Sequence, residues 1–185
     1  MPEPTDRELL SAIASGDATA LRALYDRLGE RVYNTVLTYL QNEVDAEEVT
    51  QDVFTKVWRS AASFKGNSQV ITWVYRIAVN TALTALKKRQ RRGFFGVITD
   101  TNTPSDFHHP GAKMEEKETN RELFAAIYGL PDRQKTAFVL SYVEELKRQQ
   151  VAEIMGLSLK AVESLLMRAK KGLKTSLSSN YPARG

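Results

Sequence analysis

The chain has 185 residues, with 26 Lys and Arg against 22 Asp and Glu for a net charge of +4, 42% apolar residues, six prolines and no cysteine. Without cysteine there is no disulfide framework and no Fe–S cluster, and the only two histidines, His108 and His109, fall short of a three-ligand metal set, so no metal or other cofactor is expected. The start, Met1 to Glu8, lacks a basic leader with an apolar core, and no uncharged stretch approaches the ~20 residues of a membrane span, so a cytoplasmic protein of one ordinary or two small domains is expected.

Proline is absent between Pro4 and Pro104, and residues 5–92 read as helix almost throughout. Ser15-Gly16-Asp17 closes a short first helix. In the long second helix Leu21, Leu24, Tyr25, Leu28, Val32, Val36, Tyr39 and Leu40 recur at three- and four-residue spacing. Asp45 followed three residues on by Glu48 reads as a capping box that opens a third helix over roughly 45–60. Its inward positions are Ala46, Val49, Val53 and Val57, with Phe54 and Trp58 on the flank. Its exposed positions include Glu48, Gln51, Asp52, Thr55 and Arg59. Capping and the helix dipole account for Glu47 and Glu48. They do not account for Asp52, one turn further in, which leaves a protein-docking face as the reading of this helix.

The turn Lys65-Gly66-Asn67-Ser68 leads into a fourth helix of about 70–92. At 100° per residue Trp73, Arg76, Asn80, Thr84, Lys87 and Arg91 share one sector, while Val74, Ala78, Thr81, Ala82 and Ala85 face another way. The run Lys87-Lys88-Arg89-Gln90-Arg91-Arg92 ends this helix with five cations in six positions. An aromatic ring, an amide and a line of cations on one face suit single-stranded DNA, whose unstacked bases need π-faces and whose phosphates need positive charge. A tryptophan half-buried against a neighbouring helix is the alternative for Trp73.

From Gly93 to Lys117, Gly93, Gly96, Pro104, Pro110 and Gly111 interrupt a Thr/Asp/Asn-rich stretch without periodicity, which reads as a linker of about 25 residues able to span ~80 Å when extended. Gly93–Thr99 is the one candidate strand, and it is short. The second block, 118–185, begins with a helix over Glu118–Gly129. Leu130-Pro131-Asp132 opens the next, with proline at the first helical position. A short helix of about 148–155 ends at Gly156, and Ser158 caps a last helix reaching about Leu177. Helix, glycine turn and capped second helix are the grammar of a helix-turn-helix. Val162, Leu165, Leu166, Ala169 and Leu173 form its inward stripe, with Lys160, Glu163, Ser164, Met167, Lys170, Lys171 and Lys174 around the solvent side. Residues 147–185 hold eight Lys or Arg and two Glu, a local +6 that suggests a polyanion partner. The fold class is all-α: two small helical domains joined by a flexible linker, the C-terminal one containing the helix-turn-helix. No nucleotide-binding glycine loop, zinc-protease helix or nucleophile elbow occurs, so no catalytic residue is expected.

An acidic helix, a Trp-bearing basic helix, a linker and a basic helix-turn-helix, in that order, resemble the extracytoplasmic-function group of bacterial sigma factors. The most specific stretches are Asp45–Trp58, Thr72–Asn80, and Leu130-Pro131 followed by the helix-turn-helix ending Arg168-Ala169-Lys170. The resemblance covers about Leu9 to Leu173. It implies a promoter-specificity subunit that binds core RNA polymerase, recognises two promoter elements and opens the DNA, commonly under the control of an anti-sigma protein. Asp45, Glu48, Gln51, Asp52 and Trp58 fall in the family's polymerase-docking stretch. Phe64, Lys65, Asn67, Trp73, Arg76 and Asn80 match the part that captures a flipped base of the minus-ten element, with Lys87, Lys88, Arg89, Arg91 and Arg92 along the separated strand. Ser158, Lys160, Ala161, Glu163, Ser164, Met167, Arg168, Lys170 and Lys171 would lie in the major groove of the minus-thirty-five element, and the linker near the polymerase active site. Many relatives carry Ser-Tyr-x-Glu-Ile-Ala where this chain has Gln149-Gln150-Val151-Ala152. Two other readings fit the residues: a dimeric helix-turn-helix regulator that binds duplex unaided, and an all-α adaptor that binds only proteins.

Overall fold

The computed structural model describes residues 3–94 and 117–180, with side chains over 3–91 and 122–178. The body of the predicted linker, with His108, His109 and the rest of the candidate strand after Phe94, lies outside the described residues. The chain divides into two units, and every element among the described residues is helical.

In the N-terminal unit α1 spans Asp6–Ala14, α2 Ala18–Leu40, α3 Glu43–Ser60 and α4 Val70–Phe94, with a short 3-10 turn at Ala61–Ser63. Local chemistry sets each boundary. Thr5 caps α1: Glu8 N–H donates to Thr5 Oγ1 at 3.3 Å, and Thr5 N–H donates back to Glu8 Oε2 at 2.7 Å. That backbone bond, with one from the Thr5 hydroxyl, holds the Glu8 carboxyl below its usual range. Asp17 caps α2 by accepting from Thr19 N–H at 2.8 Å. Leu24, Val32, Val36, Tyr39 and Leu40 of α2 then bury with Val53 and Val57 of α3 and with Val74, Ala78 and Ala82 of α4, as the spacing predicts, and Tyr75 of α4 is buried with them.

Two expectations in this unit are corrected. Asp45 is not the cap of α3. Gln41 turns into the left-handed region (φ 52°), so Asn42 follows in an extended conformation and its side chain accepts from Asp45 N–H at 2.9 Å, which starts the helix two residues earlier. Tyr25 is not inward. It is 42% exposed and meets Phe54 edge-on at 4.8 Å between centroids, in space left by Gly29, where a Cβ would stand 3.2 Å from its ring.

In the C-terminal unit α5 spans Lys117–Tyr128, α6 Asp132–Phe138, α7 Arg148–Met155 and α8 Leu159–Asn180. Ile127, Leu130 and Val139 close a core with Ala169 and Leu173. Pro131 is the residue before α6 rather than its first helical position. With ψ 141° it is still extended, and its carbonyl accepts from Gln134 and Lys135 N–H at 2.8 and 2.9 Å. The chain continues from α6 into a π turn, Val139–Val143, in which the Val139 carbonyl accepts from Glu144 N–H at 2.9 Å. No sequence pattern announced it. Lys147 N–H donates to Gln150 Oε1 at 3.0 Å at the start of α7, giving the departing Gln150 a structural use. Gly156 (φ 63°) ends α7 with Leu157 N–H donating to the Ala152 carbonyl at 2.9 Å. A Cβ there would meet nothing within 4 Å, so the glycine serves the dihedral angle and not the space. Ser158 then caps α8, accepting from Ala161 N–H at 3.2 Å. Val162, Leu166, Ala169 and Leu173 are buried as the stripe predicts.

Candidate protein and nucleic-acid interfaces

Three side-chain constellations reach the surface, two on the N-terminal unit and one on the C-terminal unit. On α3, the buried Ala46, Val49, Val53 and Val57 fix the opposite side as the presented face. Glu48, Gln51 and Asp52 are exposed there, with no partner among the described residues, and Trp58 is 36% exposed two turns on. Burial, then the Glu43 and Glu47 carboxylates, push the neighbouring Tyr33 phenol up from its ordinary value. The face is acidic with an aromatic at one end, a combination that suits a basic or helical protein surface.

Asp45 stands apart from this set. Its carboxylate lies 3.4 Å from the Arg89 guanidinium, which also donates to the Leu40 carbonyl at 2.7 Å. By sequence, Asp45 falls in the polymerase-docking stretch and Arg89 among the strand-binding cations. The structure brings them together: Arg89 of α4 ties the C-terminal end of α2 to the first turn of α3.

The second constellation runs from the loop before α4 along that helix. Phe64 and Trp73 are both half-buried and tilt against each other at 5.5 Å between centroids, so Trp73 combines the two readings made of it, packed on one side and open on the other. Lys65 and Asn67 of the loop are exposed, as are Arg76 and Asn80 on the first turns of α4 and Lys87, Lys88 and Arg91 on its last described turns. Thr84 turns its hydroxyl to its own helix, donating to the Asn80 carbonyl at 2.7 Å. Lys56 of α3 donates to Thr81 Oγ1 at 3.0 Å, fixing the two helices to each other. The Arg92 side chain lies outside the described ones. Arg7 of α1, which the sequence reading missed, donates to the Gly66 carbonyl at 2.9 Å across 59 residues of chain, a separation no local pattern encodes.

The third constellation is the outer side of α8. Ser158, Lys160, Glu163, Met167, Arg168, Lys170 and Lys171 are exposed, and Ala161 and Ser164 half-buried. Met167 at 69% exposure is unusual for an apolar side chain on a helix with a well-filled inner stripe. Two members are engaged from outside the helix. Arg148, at the start of α7, lies 3.9 Å from Glu163 Oε1, and Lys170 sits over the ring of Tyr142 at 4.7 Å. The Lys170 ammonium, opposed by slight burial and aided by Arg148, holds the Tyr142 phenol below its ordinary value. Tyr142 and Arg148 thus join the predicted set, brought there by the π turn and by the register of α7 on α8. Among the described residues no group of three His, Cys, Asp or Glu is placed to hold a metal ion.

Comparison with known proteins matches a segment in each unit to one class. Residues 24–92 match the family model Sigma-70 region 2, and residues 120–173 match Sigma-70, region 4. The chain therefore belongs to the sigma-70 family, in its extracytoplasmic-function group. It is 32% identical to the ECF RNA polymerase sigma-E factor of Haemophilus influenzae, covering 94% of this chain and 95% of that one. Identity to the ECF RNA polymerase sigma-E factor of Escherichia coli K12 is 30%, covering 91% and 92%. The RNA polymerase sigma-H factor of Pseudomonas aeruginosa is 26% identical over 96% of each chain. Two solved structures share the fold. CnrH, in complex with the cytosolic domain of CnrY, has a TM-score of 0.71 at 22% identity and covers 94% of this chain and 97% of that one. The Bartonella quintana sigma factor RpoE, in complex with the anti-sigma factor NepR, has a TM-score of 0.69 at 19% identity and covers 85% and 96%.

Proposed function

We propose that the three constellations divide the work of an alternative sigma factor, the transcription initiation class to which this chain belongs. The exposed Glu48, Gln51, Asp52 and Trp58 of α3 dock on core RNA polymerase. The loop Phe64–Asn67 with Trp73, Arg76 and Asn80 captures an unstacked base of the minus-ten element, while Lys87, Lys88 and Arg91 follow the separated strand. Flipping a base costs a few kcal/mol, which contacts to the base in its pocket must offset. The α8 face, with Arg148 and Tyr142 beside it, reads the minus-thirty-five element. On this reading residues 1–92 serve polymerase and minus-ten DNA, residues 118–185 serve minus-thirty-five DNA, and 93–117 join them. The factor acts by binding, with no reaction of its own, and works in the cytoplasm. The two solved neighbours, one held by a named anti-sigma factor and the other by a cytosolic domain, support an anti-sigma partner here as well.

The observation that carries the reading is the coexistence in one chain of an exposed acidic helix face and two separate basic or aromatic faces, in region 2 and region 4 order. A regulator that binds duplex unaided leaves the α3 and α4 faces without a use. The test is transcription in vitro from a genomic fragment library by purified core polymerase with and without the protein, reading RNA starts by sequencing. Starts that depend on the protein and share two upstream elements at fixed spacing are expected. Duplex binding without core and no new starts would overturn the proposal in favour of the regulator.

A further inference from the structure

We infer that Arg7 is a positioning residue for base capture: it holds the loop between α3 and α4 in its receiving shape before DNA arrives. The inference rests on the assignment of that loop to the minus-ten element made above. α1 precedes the segment matched by the region 2 model, which begins at residue 24.

Three observations converge on this latch. Gly66 lies at φ +74°, a conformation open to glycine and rarely adopted by L side chains, so the loop turns on a residue whose backbone freedom must be limited by contacts from elsewhere. The support comes from the Arg7 guanidinium, which donates to the Gly66 carbonyl at 2.9 Å, and a Cβ on Gly66 would stand 3.4 Å from the same nitrogen. The helical turn that carries Arg7 is itself anchored. The Thr5–Glu8 capping box orders its turn of α1, and the adjacent Asp6 is held by Arg27 of α2 at 3.0 Å. The latched carbonyl sits between Lys65 and Asn67, both exposed, and two residues from Phe64, which packs on Trp73 at 5.5 Å. Holding the loop at Gly66 therefore holds the rings and polar side chains that would surround an unstacked base. A receiving loop ordered in advance does not lose that freedom on binding, so the gain appears as affinity for the base.

The test uses the full chain assembled with core polymerase. Its probes are nontemplate-strand oligonucleotides from a promoter mapped by the transcription assay, intact or with an abasic site at each minus-ten position in turn. Wild type is expected to show one position where removing the base costs most. For Arg7→Ala, affinity for the intact strand is expected to fall about fivefold, the scale of one exposed hydrogen bond from a charged donor. Binding of the strand abasic at that position, and the salt slope, are expected to stay unchanged. Gly66→Ala, which disturbs the same loop without removing a charge, should give the same base-specific loss, and Arg7→Lys should recover part of it. Equal loss on intact and abasic strands with a shallower salt slope would make Arg7 a phosphate contact and overturn the inference, as would no loss at all. If wild type itself shows no base-dependent position, the loop assignment fails, and the inference with it.

Discussion

Of the five cations at the end of α4, the four with described side chains are expected to divide into two functions that a salt titration separates. Lys87, Lys88 and Arg91 are exposed and unpaired among the described residues, whereas Arg89 is bound to the Leu40 carbonyl at 2.7 Å and to Asp45 at 3.4 Å. Each phosphate neutralised on a single strand adds about 0.7 to the slope of log affinity against log salt. Replacing Lys87, Lys88 and Arg91 together with Ala should therefore remove about 2 from that slope. A fourfold rise in salt would then cost wild type about twentyfold more affinity than it costs the triple variant. Arg89→Ala should leave the slope where it is and act on the fold. Its hydrogen bond to a helix-end carbonyl contributes about 1 kcal/mol. Its ion pair, with both side chains nearly half exposed, contributes about 0–1 kcal/mol. A loss of 1–2 kcal/mol in a unit of this size should lower its melting temperature by roughly 4–15 °C. The assay is binding of a fluorescent nontemplate strand by the assembled polymerase between 50 and 200 mM salt, beside thermal melts of the free chain. If Arg89→Ala flattens the slope by a third of the triple variant's change and leaves the melt untouched, the division is refuted and Arg89 belongs with the DNA-binding cations.

Asp52→Lys reverses a charge on the presented side of α3 without touching the core, so affinity for core polymerase should fall at least tenfold while the melt stays within about 0.5 kcal/mol of wild type; equal affinity would remove Asp52 from the docking face. Lys135 has a 7% exposed side chain with Asp132 at 3.9 Å, and burial holds its amine below the ordinary lysine value against the pull of that carboxylate. The unfolded chain then binds more protons between the folded and the ordinary value, so stability lost to the buried charge returns as pH rises through the folded value toward ~10.4. Lys135→Met should stabilise the chain by about 1 kcal/mol at pH 7, with the advantage shrinking in denaturant titrations at higher pH; a constant difference would disprove the buried-charge cost. The Tyr142 phenol should ionise below the usual ~10, and Lys170→Met should move it upward in a phenolate absorbance titration. No movement would separate Tyr142 from Lys170.

Most of the fold was legible because helices declare themselves locally. The 3.6-residue period gave α2, α3, α4 and α8 and the buried stripes Val32–Val36–Tyr39 and Val162–Leu166–Ala169–Leu173, since a helix presents one face to its core wherever it is placed. Ser158 and Gly156 marked the helix-turn-helix for the same reason, a cap and a left-handed residue acting within a few positions of themselves. Boundaries slipped where two local solutions competed: Asn42 and Asp45 are both cap formers, and the left-handed Gln41 decided for the earlier one. The π turn at Val139–Val143 was invisible, because nothing in the local pattern separates an i→i+5 bond from an α turn.

The candidate sites divide in the same way. Residue type and helical sector alone picked out Asp52, Trp73, Lys88 and Met167 as surface chemistry, and the structure leaves Asp52, Lys88 and Met167 exposed and Trp73 half-buried. Which charges are already engaged was decided only by the tertiary structure. Arg89 meets Asp45 across 44 residues, Arg7 meets Gly66 across 59, and Lys170 meets Tyr142 through a turn the sequence did not announce. A lone arginine in a basic run carries no sign of whether a carbonyl from another helix waits within 3 Å of it. Periodicity fixes which way a side chain points, and only the packing of helices on one another fixes what it finds there.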